Sequence, residues 1–459
     1  GVDEPILIRM DPTEKAVYGD AVANLLEEAR EILCSKYELE LERPVVVEIF
    51  PKQSDFAIRT FGLPGGDGFL GVCFGSVITA NSPASQGTRP SNWESVLWHE
   101  FCHVVTLNKT KNRMPRWLSE GISVHEERQR DPRWGQSMTA DYRERILGEG
   151  LTPIGQLSGA FLNAQSGQDV QFAYYESSLV IDFLVEQYGL ESINALLESL
   201  ADGKRINAAL SETIAPLERL EIQFVEFAKT RALEFGTSEA GETLDFERAS
   251  LPEEATPIER LQWAAERPNN YWARLALAQV KQSRSEFSSA IEDLEFLVEH
   301  RAATAERDGV LEQLVTCYRE AGRPELERST IKSLLANSSD ALPAIRRSIE
   351  IKTEEADWEA VLDLARRGIA IQPFGIDLQA TIVRACEELG MLEESLSSLT
   401  ALEAMDPVDV AGLHYQFAKA YEAAGDPEAA LDRTIDALLI APRYRDAHAL
   451  LLELQSNDE

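Results

Sequence analysis

A 34-residue period governs the second half of the chain. Gly322, Ala356, Gly390 and Gly425 recur at intervals of 34, 34 and 35 residues. Seventeen residues after the last three stand Pro373, Pro407 and Pro442. Trp358 and Leu392 follow two residues behind Ala356 and Gly390, and Pro427 takes that place in the last unit. A fainter earlier unit carries Phe287 and Ala290 within EFSSAIEDLEFLVEH. A small residue permits a tight turn between two helices, and a proline cannot continue the second one. Each helix pair leaves an apolar face bare that only a neighbouring pair can cover. Residues 258–459 are therefore predicted to form an all-α solenoid of about five repeats with a concave groove.

This pattern resembles the tetratricopeptide (TPR) repeat, which implies a protein partner in the groove. The 459 residues suffice for at least one more domain. Residues 1–235 mix strand-like runs (6–8, 45–50 and 75–81) with helical spacing over 16–37 and from 91 onwards. Residues 236–257 are polar without a clear apolar period and read as a linker. The glycine-rich stretch 62–75 lacks the Lys-Ser/Thr ending of a phosphate loop and reads as a mobile loop before a strand.

Composition narrows the function. Lys and Arg total 44 against 78 Asp and Glu, a formal net charge of −34, which gives no electrostatic footprint for nucleic acid. No apolar run reaches the length of a transmembrane helix. Five scattered cysteines without CxxC spacing argue against a disulfide framework or a thiolate-bound metal. Because the chain starts at Gly1, it reads as trimmed, and compartment stays open between cytoplasm and export.

The sharpest chemistry is His99-Glu100-Phe101-Cys102-His103. Helix positions i and i+4 share a face, so both imidazoles can point at one ion while Glu100 projects to its side. Ser91-Asn-Trp-Glu94 reads as a capping box opening that helix. The same five residues would also describe two core histidines held by hydrogen bonds. Sixteen residues lie between His103 and Glu120, in Pro115-Arg-Trp-Leu-Ser-Glu120-Gly-Ile-Ser-Val, where Pro115 suits a first helical turn. A carboxylate on a second helix can complete a His2Glu zinc site with an open fourth position.

HEFCHVVT followed by PRWLSEGISVHEE resembles the gluzincins, most nearly the bacterial peptidase-MA-like metallohydrolases, over roughly residues 5–230. The resemblance implies an α+β zincin-like metallopeptidase domain ahead of the TPR solenoid. It implies one Zn2+ per chain on His99, His103 and Glu120, with Glu100 as general base. Glu127 takes the place of a glutamate usual behind the third ligand and would brace the site. A family tyrosine that hydrogen-bonds the oxyanion corresponds to Tyr174, with Tyr175 as the alternative and Glu176 in the following Lys/Gln place. The strand from Gly75, including Ser76, Val77, Ile78 and Thr79, falls where gluzincins pair an edge strand with extended substrate, as an endopeptidase requires.

Departures qualify the resemblance. The GxMEN loop that holds a free α-amine is absent, which argues against an aminopeptidase. Val124 stands where thermolysin-like enzymes place an aspartate that braces a zinc histidine, so any brace comes from elsewhere. Cys102 is expected to be a packed core thiol, His125 a surface residue, and His300, His414 and His448 structural. The expected function is a zinc metallopeptidase cleaving peptides or unfolded protein segments that the repeats recruit. The competing reading is a TPR scaffold whose zincin-like domain only binds.

Overall fold

In a computed structural model of the protein, residues 5–66, 68–87, 90–248 and 255–456 are described. The first domain opens with strand β1 (Ile6–Arg9), a helical turn over 12–19, and helix α1 (Asp20–Lys36). It continues through β2 (Val45–Phe50), α2 (Gln53–Phe61), β3 (Gly71–Cys73) and β4 (Val77–Asn81). The strands form one sheet in the order β1-β2-β4-β3. β1, β2 and β4 run parallel, with Ile6 opposite Val45 and Val46 opposite Val77. β3 is antiparallel, with Gly71 opposite Ala80. Both parallel connections carry a helix (α1 and α2), as such connections require.

Helices α3 (Trp93–Lys109), α4 (Arg116–Arg130), α5 (Ala140–Leu147), α6 (Gly167–Tyr188), α7 (Leu190–Ala201), α8 (Ile206–Thr213) and α9 (Leu217–Glu234) complete the domain. One apolar core joins sheet and helices: Leu26 and Leu33 of α1, Val45, Val47 and Ile78 of the sheet, and Trp98, Phe101, Trp117 and Leu118 of α3 and α4. Ser91 does not cap α3. Asn92 does, its side chain accepting from the amides of Glu94 and Ser95. Pro115 lies just before α4 as its cap, one residue earlier than expected.

Two further expectations are corrected here. Val77, Ile78 and Thr79 lie in β4, which is paired on both sides, and Ser76 gives its carbonyl to the Val46 amide. They have no free edge to offer; that edge belongs to β3, inside the segment read as a mobile loop. The expected linker also starts folded. Leu244 and Phe246 are buried, Phe246 stacks on Tyr271, and Asp245 pairs through its backbone with Asn269 and Tyr271. Two apolar residues in a polar stretch were too few to show a period. Residues 249–254 of that stretch lie outside the described residues.

The solenoid begins with a leading helix, α10 (Pro257–Ala265). Five helix pairs follow: α11 (Tyr271–Ser283) with α12 (Phe287–Glu299), α13 (Val310–Glu320) with α14 (Pro324–Asn337), α15 (Leu342–Glu354) with α16 (Trp358–Ile369), α17 (Ile376–Leu389) with α18 (Leu392–Ala404), and α19 (Val410–Ala423) with α20 (Pro427–Ile440). Helix α21 (Arg445–Ser456) closes the stack. The turn inside every pair holds one residue at left-handed φ: Ser285, Gly322, Ala356, Gly390 and Gly425. In each turn the next amide reaches back five residues to a helix carbonyl, from Glu286 to Lys281, Arg323 to Tyr318, Asp357 to Lys352, Met391 to Cys386 and Asp426 to Tyr421, all at 2.9–3.0 Å. This helix-ending bond explains the periodic small residue, since glycine enters the left-handed region without steric cost.

The solenoid folds back onto the first domain. Trp93, first residue of α3, donates its amide to the Ala370 carbonyl (3.0 Å) and its indole Nε1–H to the Ile369 carbonyl (3.2 Å). The Asn92 amide donates to Asp340 Oδ1 at 2.9 Å. Phe374 packs against Tyr18 and the first-domain core, and the turn Lys15–Gly19 rests against α18.

Ala356 at φ 55° carries a Cβ where its counterparts Gly322, Gly390 and Gly425 have none. Ala356→Gly is expected to stabilise the solenoid by up to about 1 kcal/mol, the left-handed penalty less the entropy a glycine loses on folding. Thermal unfolding followed by circular dichroism should show a higher midpoint.

Candidate metal centre

Helices α3 and α4 cross so that three side chains converge. His99 Nε2 lies 3.2 Å and His103 Nε2 3.1 Å from the same oxygen, Glu120 Oε2. One donor atom from each of the three falls within 4.8 Å of the others.

The outer ring nitrogens show which tautomers the fold sets. His99 Nδ1 donates to Glu127 Oε1 at 2.6 Å, an atom that can only accept when ionised. His103 Nδ1 meets Ser119 Oγ at 2.8 Å and Ser123 Oγ at 3.2 Å. The single Ser123 hydroxyl proton goes to the His99 carbonyl, 3.2 Å away, so towards His103 this oxygen accepts. Both imidazoles can therefore keep a proton on Nδ1, and both turn Nε2 towards Glu120. Two ring nitrogens and a carboxylate oxygen this close repel one another unless a proton or a cation lies among them. Burial works against a charged His99, yet the hydrogen bonds it donates to Glu120 and Glu127 outweigh it and raise its pKa well above the ordinary value. Burial likewise works against an ionised Glu120, but His103 and His99 hold it well below the usual carboxylate range. The three donors could hold a divalent cation, and their chemistry, two imidazoles and one carboxylate, fits zinc.

Glu100 stands beside this cluster. Its Oε2 is buried with no hydrogen-bond partner among the described residues. Burial raises its pKa against the opposing pull of His103 and His99. Gly71 of β3 packs directly on it: a Cβ there would come within 2.7 Å of Glu100 Cγ. The Leu70 carbonyl and Phe74 amide bond β4, so by antiparallel alternation the backbone groups of Gly71 and Cys73 face outward.

Tyr174 and Tyr175 part company on α6. Tyr174 hydroxyl lies 3.4 Å from Glu120 Oε1 and accepts from Arg116 Nη2 at 3.1 Å. Burial, then the Glu120 charge, push its pKa up, so the phenol keeps its proton. Tyr175 turns inward, stacks on Tyr142 and points at Met138. Arg116, one turn before Glu120, donates to Glu120 Oε1 at 3.1 Å. His125 is buried and bonds Asp182 at 2.7 Å, so it is a core residue and not a surface one. Cys102 is buried, as its helical angle implies.

Sequence reasoning missed Ser119, Ser123, Arg116 and β3. The serines lie four apart on α4, a spacing that speaks only once the facing histidines are known. Beside the centre runs a cleft of about 680 Å³, lined by His99, Glu100, Glu127, Tyr174 and the approach to β3.

Residues 74–220 match the model of the Peptidase MA superfamily. Among curated proteins no significant match is found. The solved structure of YrrB, "a TPR protein with an unusual peptide-binding site", is 15% identical, covers 44% of this chain and 100% of its own, and superposes at a TM-score of 0.33. MamA is 15% identical, covering 37% and 90% at 0.28. The Cut9-Hcn1 complex of the APC/C is 13% identical, covering 82% and 64% at 0.25. Scores of this size add no detail to the repeats. The chain thus combines a stretch similar to the Peptidase MA superfamily with a stack of helix pairs behind it, and no helix among its described residues is long and apolar enough to cross a membrane.

Two substitutions probe the scaffold. A Cβ on Gly121, next to Glu120, would meet the Ser177 carbonyl oxygen at 2.6 Å, so Gly121→Ala must push α4 off α6. It is expected to cost about 1–3 kcal/mol of stability in denaturant titrations. Glu176 is buried, its carboxylate accepting from the Thr152 amide, and burial pushes its pKa from 4.5 to about 7. A carboxyl raised in the fold contributes stability below its unfolded pKa and loses it as pH climbs through 7. Glu176→Gln should accordingly stabilise by up to roughly 3 kcal/mol at pH 8 and little at pH 4.5, read as the difference in thermal midpoint.

Proposed function

We propose that the protein is a zinc metallopeptidase of the gluzincin type, an endopeptidase whose zincin-like domain spans residues 1–235 and whose TPR domain spans 258–459. The observation that carries this reading is the aim of His99 Nε2, His103 Nε2 and Glu120 Oε2 at one point, beside the unpartnered Glu100 Oε2. When held by His99, His103 and Glu120, zinc supplies the Lewis acidity that acidifies a water and polarises the scissile carbonyl.

The chain's own residues do the rest. Glu100 takes the water proton as the hydroxyl oxygen bonds to the carbonyl carbon, and hands it to the amine as the C–N bond breaks. Its raised pKa suits a group that must first accept and then release a proton. Tyr174 donates its hydroxyl proton in a hydrogen bond to the developing oxyanion, and Arg116 holds that hydroxyl in place. Glu127, Ser119 and Ser123 fix the tautomers that leave Nε2 of both histidines free for the metal. The outward backbone of Gly71 and Cys73 offers an extended substrate a strand to pair with, which favours cleavage within a chain.

Metal analysis and cleavage of fluorescein-labelled casein test this together. Wild type should hold a single zinc per chain and cleave. Glu100→Gln should keep the zinc and lose cleavage by at least about 100-fold, whereas Glu120→Ala should lose the zinc itself. Zinc without cleavage in wild type would instead make this a TPR scaffold with a silent binding domain.

A further inference from the structure

The cleft at the metal centre has a wall from the other domain. Lining it together with Phe69, Gly71 and Glu100 are Glu306 and Arg307, from the loop joining α12 to α13, and Asn337 and Asp340, from the end of α14 and the loop beyond it. These are the connections between repeats one and two and between repeats two and three.

The wall is fixed in place. Asp340 accepts from the Asn92 amide, seven residues before His99 on a helix rising 1.5 Å per residue, so the wall touches α3 about 10 Å from the histidine. The Ile369 and Ala370 carbonyls hold Trp93 from the next repeat, and Phe374 is embedded against Tyr18. The bonds run from the first turn of α3, where amides lack helical partners, to the last turn of α16, where carbonyls lack them. Each end satisfies the other, and the two helix dipoles meet with opposite signs.

We propose that the repeats close the catalytic cleft and select its substrate there, through Arg307, Asn337 and their neighbours, and that the substrate is an extended, unfolded polypeptide segment. The proposal rests on the peptidase reading of the same site. A volume of about 680 Å³ is that of a pocket for a short segment, and a folded surface cannot reach Glu100 past walls on both sides. The segment lies between the outward backbone of β3 and the inter-repeat loops. The wall also offers a charge to it. Arg133, elsewhere in the cleft, is tied to Asp131, whereas Arg307 is exposed and makes no hydrogen bond or ion pair within 4 Å among the described residues. Its guanidinium is available to a carboxylate on the bound segment.

Asn337→Trp, which adds bulk at an exposed wall position, and Arg307→Glu, which inverts the charge, test this in the full-length chain. With a quenched-fluorescence decapeptide, each should raise KM by about tenfold while kcat stays within about twofold, the split expected when ground-state binding is lost. Arg307→Glu should do so more for acidic than for basic peptides. Anisotropy of labelled casein on a Glu100→Gln background should show the same weakening, with zinc content retained, and labelled folded lysozyme should not bind the parent. Unchanged KM and unchanged casein binding in both variants would overturn the proposal, as would a parent that binds folded lysozyme as well as casein. A zinc-loaded wild type that cleaves nothing, but whose casein binding the wall variants abolish, would sink the peptidase reading and leave the wall standing. The variants sit in separate loops, so one that misfolds leaves the other to decide.

Discussion

The molecule hangs on the helix Trp93–Lys109, which is held from both domains at once. Its first turn is capped by its own Asn92 and gripped by acceptors from the solenoid, Asp340, Ile369 and Ala370. Its middle carries the two histidines, and its buried face, with Trp98 and Phe101, is the centre of the first core. The helix cannot shift without breaking solenoid contacts at one end and histidine hydrogen bonds further along. Net hydrogen bonds contribute about 1 kcal/mol each, so three at the junction are modest alone. Leaving those amides and carbonyls unpaired under a docked surface would cost about 1–3 kcal/mol apiece, and this asymmetry makes the docked arrangement the stable one.

Charge explains the arrangement of the site. Glu100, Glu120 and Glu127 share a small volume with His99, His103 and the guanidinium of Arg116. Burying an ion costs several kcal/mol unless it is paired. Nearby carboxylates show how the fold normally meets that cost: Glu126 takes the Lys36 ammonium and the Tyr37 hydroxyl, and Asp182 takes His125 and Arg128. At the centre the pairing is incomplete. Glu120 Oε2 faces two ring nitrogens whose other sides already donate, and Glu100 Oε2 faces no partner at all. Three carboxylates with so few partners leave room at the centre for one more positive charge.

What the sequence disclosed follows from the range of the interactions involved. The two histidines were legible because a helix makes residues four apart neighbours, and Gly390 or Gly425 because a left-handed turn asks for glycine wherever it occurs. Tyr174 could be separated from Tyr175 only by geometry, since adjacent helical residues point about 100° apart and either could have faced the metal. Asn92 outcompeted Ser91 as cap by a single position. β3 stayed hidden because three residues inside a glycine-rich stretch are too few to show alternation, yet Gly71 is there because Glu100 leaves no space for a Cβ. His125 was misjudged because its partner, Asp182, is 57 residues away. Docking was invisible for the same reason: Trp93 and Phe374 look like any core aromatics until the chain brings them together.

The regularity of the repeats also bears on why they dock. A solenoid of helix pairs presents one row of inter-repeat loops along an edge, each spaced from the next by a helix pair. Such a row can follow a cleft, whereas a single loop covers only one point of it. Here two successive loops meet the cleft and the third, from Ala370 to Phe374, anchors the row to α3. The anchor comes from the repeat whose turn holds Ala356, in the middle of the stack, which leaves α17 to α21 extending beyond the cleft. Ala356 itself is exposed in that left-handed turn, while Trp358, two residues on, packs against the neighbouring apolar residues. The repeats nearest the helix Trp93–Lys109 therefore form part of its cleft, and of the remaining ones α18 still touches the first domain, at the turn Lys15–Gly19.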